Sequence, residues 1–143
     1  VGVVKHAHHE FDIDKPGKDS FELRAAGATQ MLIASRRRWA MIVERELDGE
    51  PSLDEVLRDL DQSSLDLVLV EGFKREQFPK IELHRTALRR PLLCIDDPNI
   101  VAVASDGDPG GAGDLPVLDL NEPQSVADYI ATEITGTATG SGE

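Results

Sequence analysis

The sequence of 143 residues has the length of one domain with one sizeable core. Its 27 acidic residues against 15 basic ones give a formal charge of −12, which argues against a general nucleic-acid or anionic-membrane binder, because both need a basic face. The single cysteine, Cys94, excludes an intramolecular disulfide, and with no apolar stretch near the roughly 18 residues that span a bilayer and no secretory signal, a soluble cytoplasmic protein is expected.

Val1 to Val4 is apolar from its first residue, so the chain is expected to begin inside a strand. Lys5-His6-Ala7-His8-His9 follows, and if the backbone stays extended His6 and His8 share one face. Glu10 to Lys18 reads as a charged loop. Asp19 with Glu22 makes a capping box, predicting a helix from about Ser20 to Ala26 that stops at Gly27. Thr29 to Ala34 and Trp39 to Val43 read as strands, and their short connection through Arg36, Arg37 and Arg38 predicts an antiparallel hairpin. Ser52 and Glu55 form a second capping box, with Leu53, Val56, Leu57 and Leu60 at helical spacing.

The stretch Leu65 to Phe73 holds a short continuous run of Val and Leu of the kind found in a central strand buried on both faces, and the run stops at Glu71 and Gly72. Lys80 to Arg85 alternates Ile81 and Leu83 with Glu82 and His84, as a half-buried strand would. Ile100 to Ala104 is a further apolar strand ending in Ser105-Asp106, before a glycine-rich loop over 107–113 and a short strand at Leu115 to Leu120. Asn121 with Gln124 is expected to cap a last helix carrying Val126, Ile130 and Ile134 on one face. The polar stretch 135–143 is expected to be a disordered tail. Alternation of strands and helices gives an α/β class with a mostly parallel sheet flanked by helices, in a single domain over residues 1–134.

Glu71 ends its strand where ligands bind in open α/β sheets, outside the carboxyl ends of the strands. An acid there suits holding Mg²⁺ through water or orienting an attacking water; it can equally be a solvated strand end. Gly17-Lys18 is not the tail of a phosphate-binding loop, since the first glycine would fall at Asp12 and the hydroxyl position at Asp19. The cluster Lys5, His6, His8 and His9 admits a metal site with Asp12 or Asp14, an anion-binding strand end, or solvated loop residues; Lys5 opposes the first by repelling a cation. Arg36 to Arg38 beside Trp39 is either an anion clamp or a solvated hairpin tip. Ser105-Asp106 suits reading guanine, whose N1–H and N2–H₂ a carboxylate can accept, but it is also an ordinary turn. Cys94 reads as a small, inert core residue.

Together, Lys5-His-Ala-His-His, Asp12-Ile-Asp14-Lys-Pro-Gly-Lys-Asp-Ser20, Leu23-Arg-Ala-Ala-Gly27, Arg38-Trp39, Asp66-Leu-Val-Leu-Val-Glu-Gly-Phe-Lys74, Lys80-Ile and Ala102-Val-Ala-Ser-Asp106 closely resemble the molybdopterin-guanine dinucleotide biosynthesis adaptor family, MobB. The match runs in order over almost the whole chain, loosely after Gly107. The resemblance implies a P-loop NTPase-like fold and a GTP-binding adaptor with Mg²⁺, at most a weak GTPase. It also implies a homodimer and partnership with molybdopterin and with the molybdenum cofactor guanylyltransferase that attaches GMP to it.

By position, Glu71 looks like the catalytic acid of the Mg²⁺ strand, with Asp12 as a second Mg²⁺ carboxylate. Lys5, His6, His8, Asp12 and Asp14 look like the face opposite the nucleotide phosphates, and Ser105 and Asp106 like the base-reading residues. The family's opening strand, phosphate loop and helix have no counterpart here, and Val1 falls at its second strand, so the phosphate-loop lysine and hydroxyl are not expected from this sequence. The alternative is an adaptor that binds partner and pterin without binding GTP on its own.

Overall fold

The computed structural model describes residues 1–7, 11–45 and 49–136, in two compact units: residues 3–61 with 69–72, and residues 1–2 and 62–68 with the described residues from 73 on. The fold is α/β, with parallel strand pairs, few helices and one small antiparallel hairpin.

Strand β1 (Gly2–Lys5) lies beside β4 (Val68–Glu71), with residues 3–5 and 69–71 of the two in the first unit. The His6 N–H donates to the Glu71 carbonyl at 2.8 Å and the Gly2 N–H to the Leu67 carbonyl at 2.8 Å, so both numbers rise together and the strands are parallel. Helix α1 covers Asp19–Ala25. Asp19 is its first helical residue and not its cap: Lys18 occupies the cap position without a side-chain bond, while Glu22 reaches past it to the Gly17 N–H at 3.2 Å. The end at Gly27 is as expected. That residue takes φ 105°, and the Gly27 and Ala28 N–H groups close on the Arg24 and Leu23 carbonyls at 2.8 and 3.1 Å, satisfying the helix's last acceptors.

Strands β2 (Gln30–Ala34) and β3 (Trp39–Val43) form the antiparallel hairpin, with Ala34 opposite Trp39 and Leu32 opposite Met41. At its tip the Ser35 hydroxyl accepts from the Arg37 and Arg38 N–H groups and donates to the Arg38 carbonyl. Helix α2 (Leu53–Arg58) carries the full capping box of Ser52 and Glu55, and Leu53 is its buried anchor.

The second unit is built on β5 (Lys80–His84), β6 (Ile100–Ser105) and β7 (Val117–Asp119), all parallel, with β6 central. The most buried strand is therefore β6, where Ala102, Val103 and Ala104 are wholly inaccessible. The run ending at Glu71 is only half-buried, because among the described residues β4 pairs with β1 alone.

Strand β5 alternates as expected, but its faces are reversed: Glu82 and His84 are buried and Leu83 is exposed. Glu82 is kept inside because its two oxygens accept from the Leu93 and Cys94 N–H groups at 2.8 and 3.0 Å, at the start of a short helical turn. Burial, then the Glu82 charge, push the Cys94 thiol up and away from the reactive thiolate.

Helix α3 (Pro123–Tyr129) continues as a wider turn over Ile130–Ile134, and Tyr129 ties it to the sheet through the Val101 carbonyl at 3.0 Å. Its cap is Glu122 followed by Pro123, not Asn121; Gln124 instead bonds Asp128. Residues 137–143 of the expected tail lie outside the described residues.

Candidate functional site

The carboxyl ends of β1 and β4 place Lys5 and Glu71 side by side. Lys5 Nζ donates to Glu71 Oε1 at 3.1 Å and stands 3.0 Å from Oε2, with both side chains 67% exposed. An exposed pair of this kind contributes at most about 1 kcal/mol to folding, so its position matters more for what it can meet than for the stability it supplies.

Behind it, His6 is nearly buried and its Nε2 lies 2.6 Å from Glu50 Oε2. An ionised carboxylate only accepts, so Nε2 carries the proton in this contact. The turn that follows is sharp: Gly72 has φ 99° and Phe73 φ 50°, and a Cβ on Gly72 would meet His6 Cβ at 2.6 Å. Only glycine allows the chain leaving Glu71 to pass this close to His6. His8 lies outside the described residues.

Asp12 belongs to a different cluster in the same unit, and Asp14 Oδ1 accepts from the Lys15 N–H at 3.0 Å. Arg24, on α1, donates from Nη2 to Asp12 Oδ1 at 2.9 Å and from Nη1 to Glu44 Oε1 at 2.5 Å, and its guanidinium lies over the Phe21 ring. The bonds to Asp12 and then Glu44 hold the guanidinium above its ordinary value. Arg24 Nε and Asp14 Oδ2 are buried without a hydrogen-bond partner. Asp12 is thus turned toward a cation the protein already supplies.

Magnesium is commonly held by one or two carboxylates together with water and substrate phosphates. Glu71, exposed at a strand end, fits that minimal role; Asp12 fits it only after release from Arg24. Among the described residues no group of three or more His, Cys, Asp or Glu side chains converges to form a cage of protein ligands alone.

Ser105 and Asp106 line a cleft of about 470 Å³ in the second unit, together with Asp108, Pro109, Val117, Leu118 and Asn121. It opens at the carboxyl ends of β6 and β7, where open α/β sheets bind ligands. Asp106 Oδ1 accepts from the Thr86 N–H and hydroxyl, both at 2.9 Å, and these bonds, the N–H first, hold the carboxyl below its ordinary value. The expected pair of acceptor oxygens is thereby reduced to one, Oδ2, with Arg85 Nη1 at 3.7 Å. Ser105 Oγ is buried and unpartnered beside it.

Nothing in the sequence marks Glu50 as the partner of His6 or Thr86 as that of Asp106, because both contacts join residues distant along the chain. Arg24 was visible within a motif, but without the fold its two carboxylates were not.

The family model for molybdopterin guanine dinucleotide synthesis protein B matches residues 1–106. The molybdopterin-guanine dinucleotide biosynthesis adapter protein of Escherichia coli strain K12 is 46% identical over 130 residues, covering 90% of this chain and 73% of that protein. The adapter protein of the same description from Haemophilus influenzae is 42% identical over 130 residues, covering 91% and 70%. Among solved structures, a MobB protein homolog from Bacillus stearothermophilus superposes with a TM-score of 0.62 at 26% identity, covering 94% of this chain and 77% of that one. A MobB of Bacillus subtilis does so at 0.65 with 22% identity, covering 97% and 80%, which bears on the fold alone.

Proposed function

The chain belongs to the molybdopterin guanine dinucleotide synthesis protein B family, and from that membership we propose that it acts as a GTP-binding adapter in molybdopterin-guanine dinucleotide biosynthesis, assisting attachment of GMP to molybdopterin. Its partners on this reading are molybdopterin, the guanylyltransferase that uses it, and a second copy of the chain. Among the described residues no helix is long and apolar enough to cross a membrane.

The observation that carries the reading is the Lys5–Glu71 pair at the carboxyl ends of two adjacent parallel strands. A cation and a carboxylate that are exposed and, among the described residues, paired only with each other match a Mg²⁺-bound polyphosphate, whose oxygens suit the ammonium and whose cation suits the carboxylate. When bound, Mg²⁺ would neutralise phosphate charge. Lys5 would then leave Glu71 for a phosphate oxygen, and the freed Glu71 carboxylate would hold or orient water. His6, fixed by Glu50 and by the turn at Gly72, sets the wall behind that water. Asp12 joins the phosphate side only when Arg24 lets it go, and Asp14, two residues on in the same loop, would join it there.

Base reading by Ser105 and Asp106 stands on its own ground, Asp106 Oδ2 in the second unit's cleft, which accepts no hydrogen bond among the described residues and has only the Arg85 guanidinium 3.7 Å away. That oxygen can accept from both N1–H and N2–H₂ of guanine, and adenine offers no such adjacent donors there. Titration of the full chain with GTP and with ATP, each with Mg²⁺ and followed by amide NMR shifts, tests the reading. Mg²⁺-GTP should shift Lys5 and Glu71, as should Mg²⁺-ATP through the triphosphate they share. Base reading, judged separately, should show as a shift of Gly107 with GTP and not with ATP; no shift at millimolar GTP would exclude the reading.

One observation favours a second reading, a partner- and pterin-binding adapter that does not bind GTP by itself: Asp12 is already neutralised by Arg24. On that reading the guanylyltransferase is retained while the GTP titration shows nothing.

A further inference from the structure

Three carboxylates line the cleft of the second unit, and each has one oxygen committed to the backbone. Asp106 Oδ1 takes the Thr86 N–H, Asp108 Oδ1 the Gly110 N–H at 2.9 Å, and Asp119 Oδ1 the Asn121 N–H at 2.8 Å. Arg85 Nη1, 3.7 Å from Asp106 Oδ2, offsets one of the three charges, and the remaining acidic lining still disfavours phosphate and favours an uncharged, donor-bearing group. Pro109, Val117 and Leu118 add apolar wall, as a planar ring requires.

Within it, Asn121 differs from the acids around it. Its backbone N–H fixes Asp119, but among the described residues its carboxamide has no hydrogen-bond partner. Asn121 is also the lining side chain that carries a strong donor. Asp106, Asp108 and Asp119 only accept, and Ser105 Oγ is buried.

We propose that Asn121 is a base-reading residue of this cleft, its carboxamide N–H donating to the acceptor edge of guanine, N7 and O6, while Asp106 Oδ2 takes the donor edge. This deepens the guanine reading proposed above and rests on it. Guanine is the common purine with neighbouring acceptors on one edge and neighbouring donors on the other. A donor and an acceptor on one cleft select it by both. Adenine, with an amino group in place of O6, would set its own donor against the Asn121 N–H and present no donor to Asp106.

Asn121→Ala is a clean test because the bond to Asp119 comes from the backbone and survives the change. The measurement is the affinity of the full chain for GTP, 7-deaza-GTP, 6-thio-GTP and ITP, by amide NMR titration, in wild type and Asn121→Ala. Wild type should lose about five- to tenfold on 7-deaza-GTP or 6-thio-GTP, whichever acceptor is used, and Asn121→Ala should lose the same on GTP and nothing more on that analogue. ITP, which lacks only N2–H₂, should weaken equally in both proteins, since it reports on Asp106. Unchanged GTP affinity in Asn121→Ala, with ITP still weak, would overturn the role of Asn121 and leave guanine reading intact. Equal binding of GTP, ITP and ATP by wild type would overturn guanine reading itself, and with it this inference.

Discussion

A Cβ on Gly72 would lie 2.6 Å from the Cβ of His6, closer than two carbon atoms can stand without one strand end moving. The φ of 99° at Gly72 forbids the same substitution a second time, on conformational grounds. Gly72→Ala should therefore cost roughly 1–3 kcal/mol from backbone strain alone, before the clash is counted. Urea denaturation measures it. A midpoint equal to wild type would mean that the turn after Glu71 is not held as described.

Arg24→Lys keeps the charge but loses the fork that spans Asp12 and Glu44. The variant should show a lower Tm and faster amide exchange at Gly17 and Lys18, whose N–H groups bond Glu22 and Lys15 in the loop that Asp12 anchors. Exchange rates unchanged at both amides would show that the loop does not depend on Arg24.

Asp97 supplies the pH dependence. Its carboxyl is held below the ordinary value first by the bond from Lys80 Nζ at 2.5 Å, then by the Asn99 backbone and side chain. A group depressed in the folded state adds stability that is fully present above its unfolded pKa, here the ordinary 3.8, and is lost as pH falls through the lower folded value. Below pH 4 the stability difference between wild type and Asp97→Asn should therefore shrink, and from pH 5 to 7 it should be flat. A difference that grows as the pH falls below 4 would contradict this pairing. Lys80 also donates to the Lys74 and Glu76 carbonyls, so the variant should loosen residues 74–76 as well.

Local signals carried most of the fold. The Ser52/Glu55 capping box, the stop at Gly27 and the antiparallel hairpin are each set by neighbours within a few residues, and all three are present. What was not legible depends on partners far along the chain. Glu82 reads as the solvent face of a half-buried strand, yet it is buried because two N–H groups of residues 93 and 94 need acceptors. Leu65 to Val70 reads as the most central strand, but centrality is decided by how many strands pair with it, and β6 has two. At the candidate site, the positions of Lys5 and Glu71 at strand ends follow from their sequence, while their contact requires knowing that β1 and β4 are neighbours. The contact of Asp12 with Arg24 was not legible for the same reason: the two lie twelve residues apart, across a loop.

The most direct measurement is a double-mutant cycle of Mg²⁺-dependent GTP affinity in the full chain, using Lys5→Met, Glu71→Gln and the pair. If Lys5 meets a phosphate oxygen and Glu71 holds the cation or its water, each single change should weaken binding by about tenfold, as loss of a charged hydrogen bond does. The Glu71→Gln loss should vanish when Mg²⁺ is withdrawn, and the Lys5→Met loss should remain. Wild-type GTP affinity in both single variants, with and without Mg²⁺, would show that the exposed Lys5–Glu71 pair is a surface ion pair and nothing more.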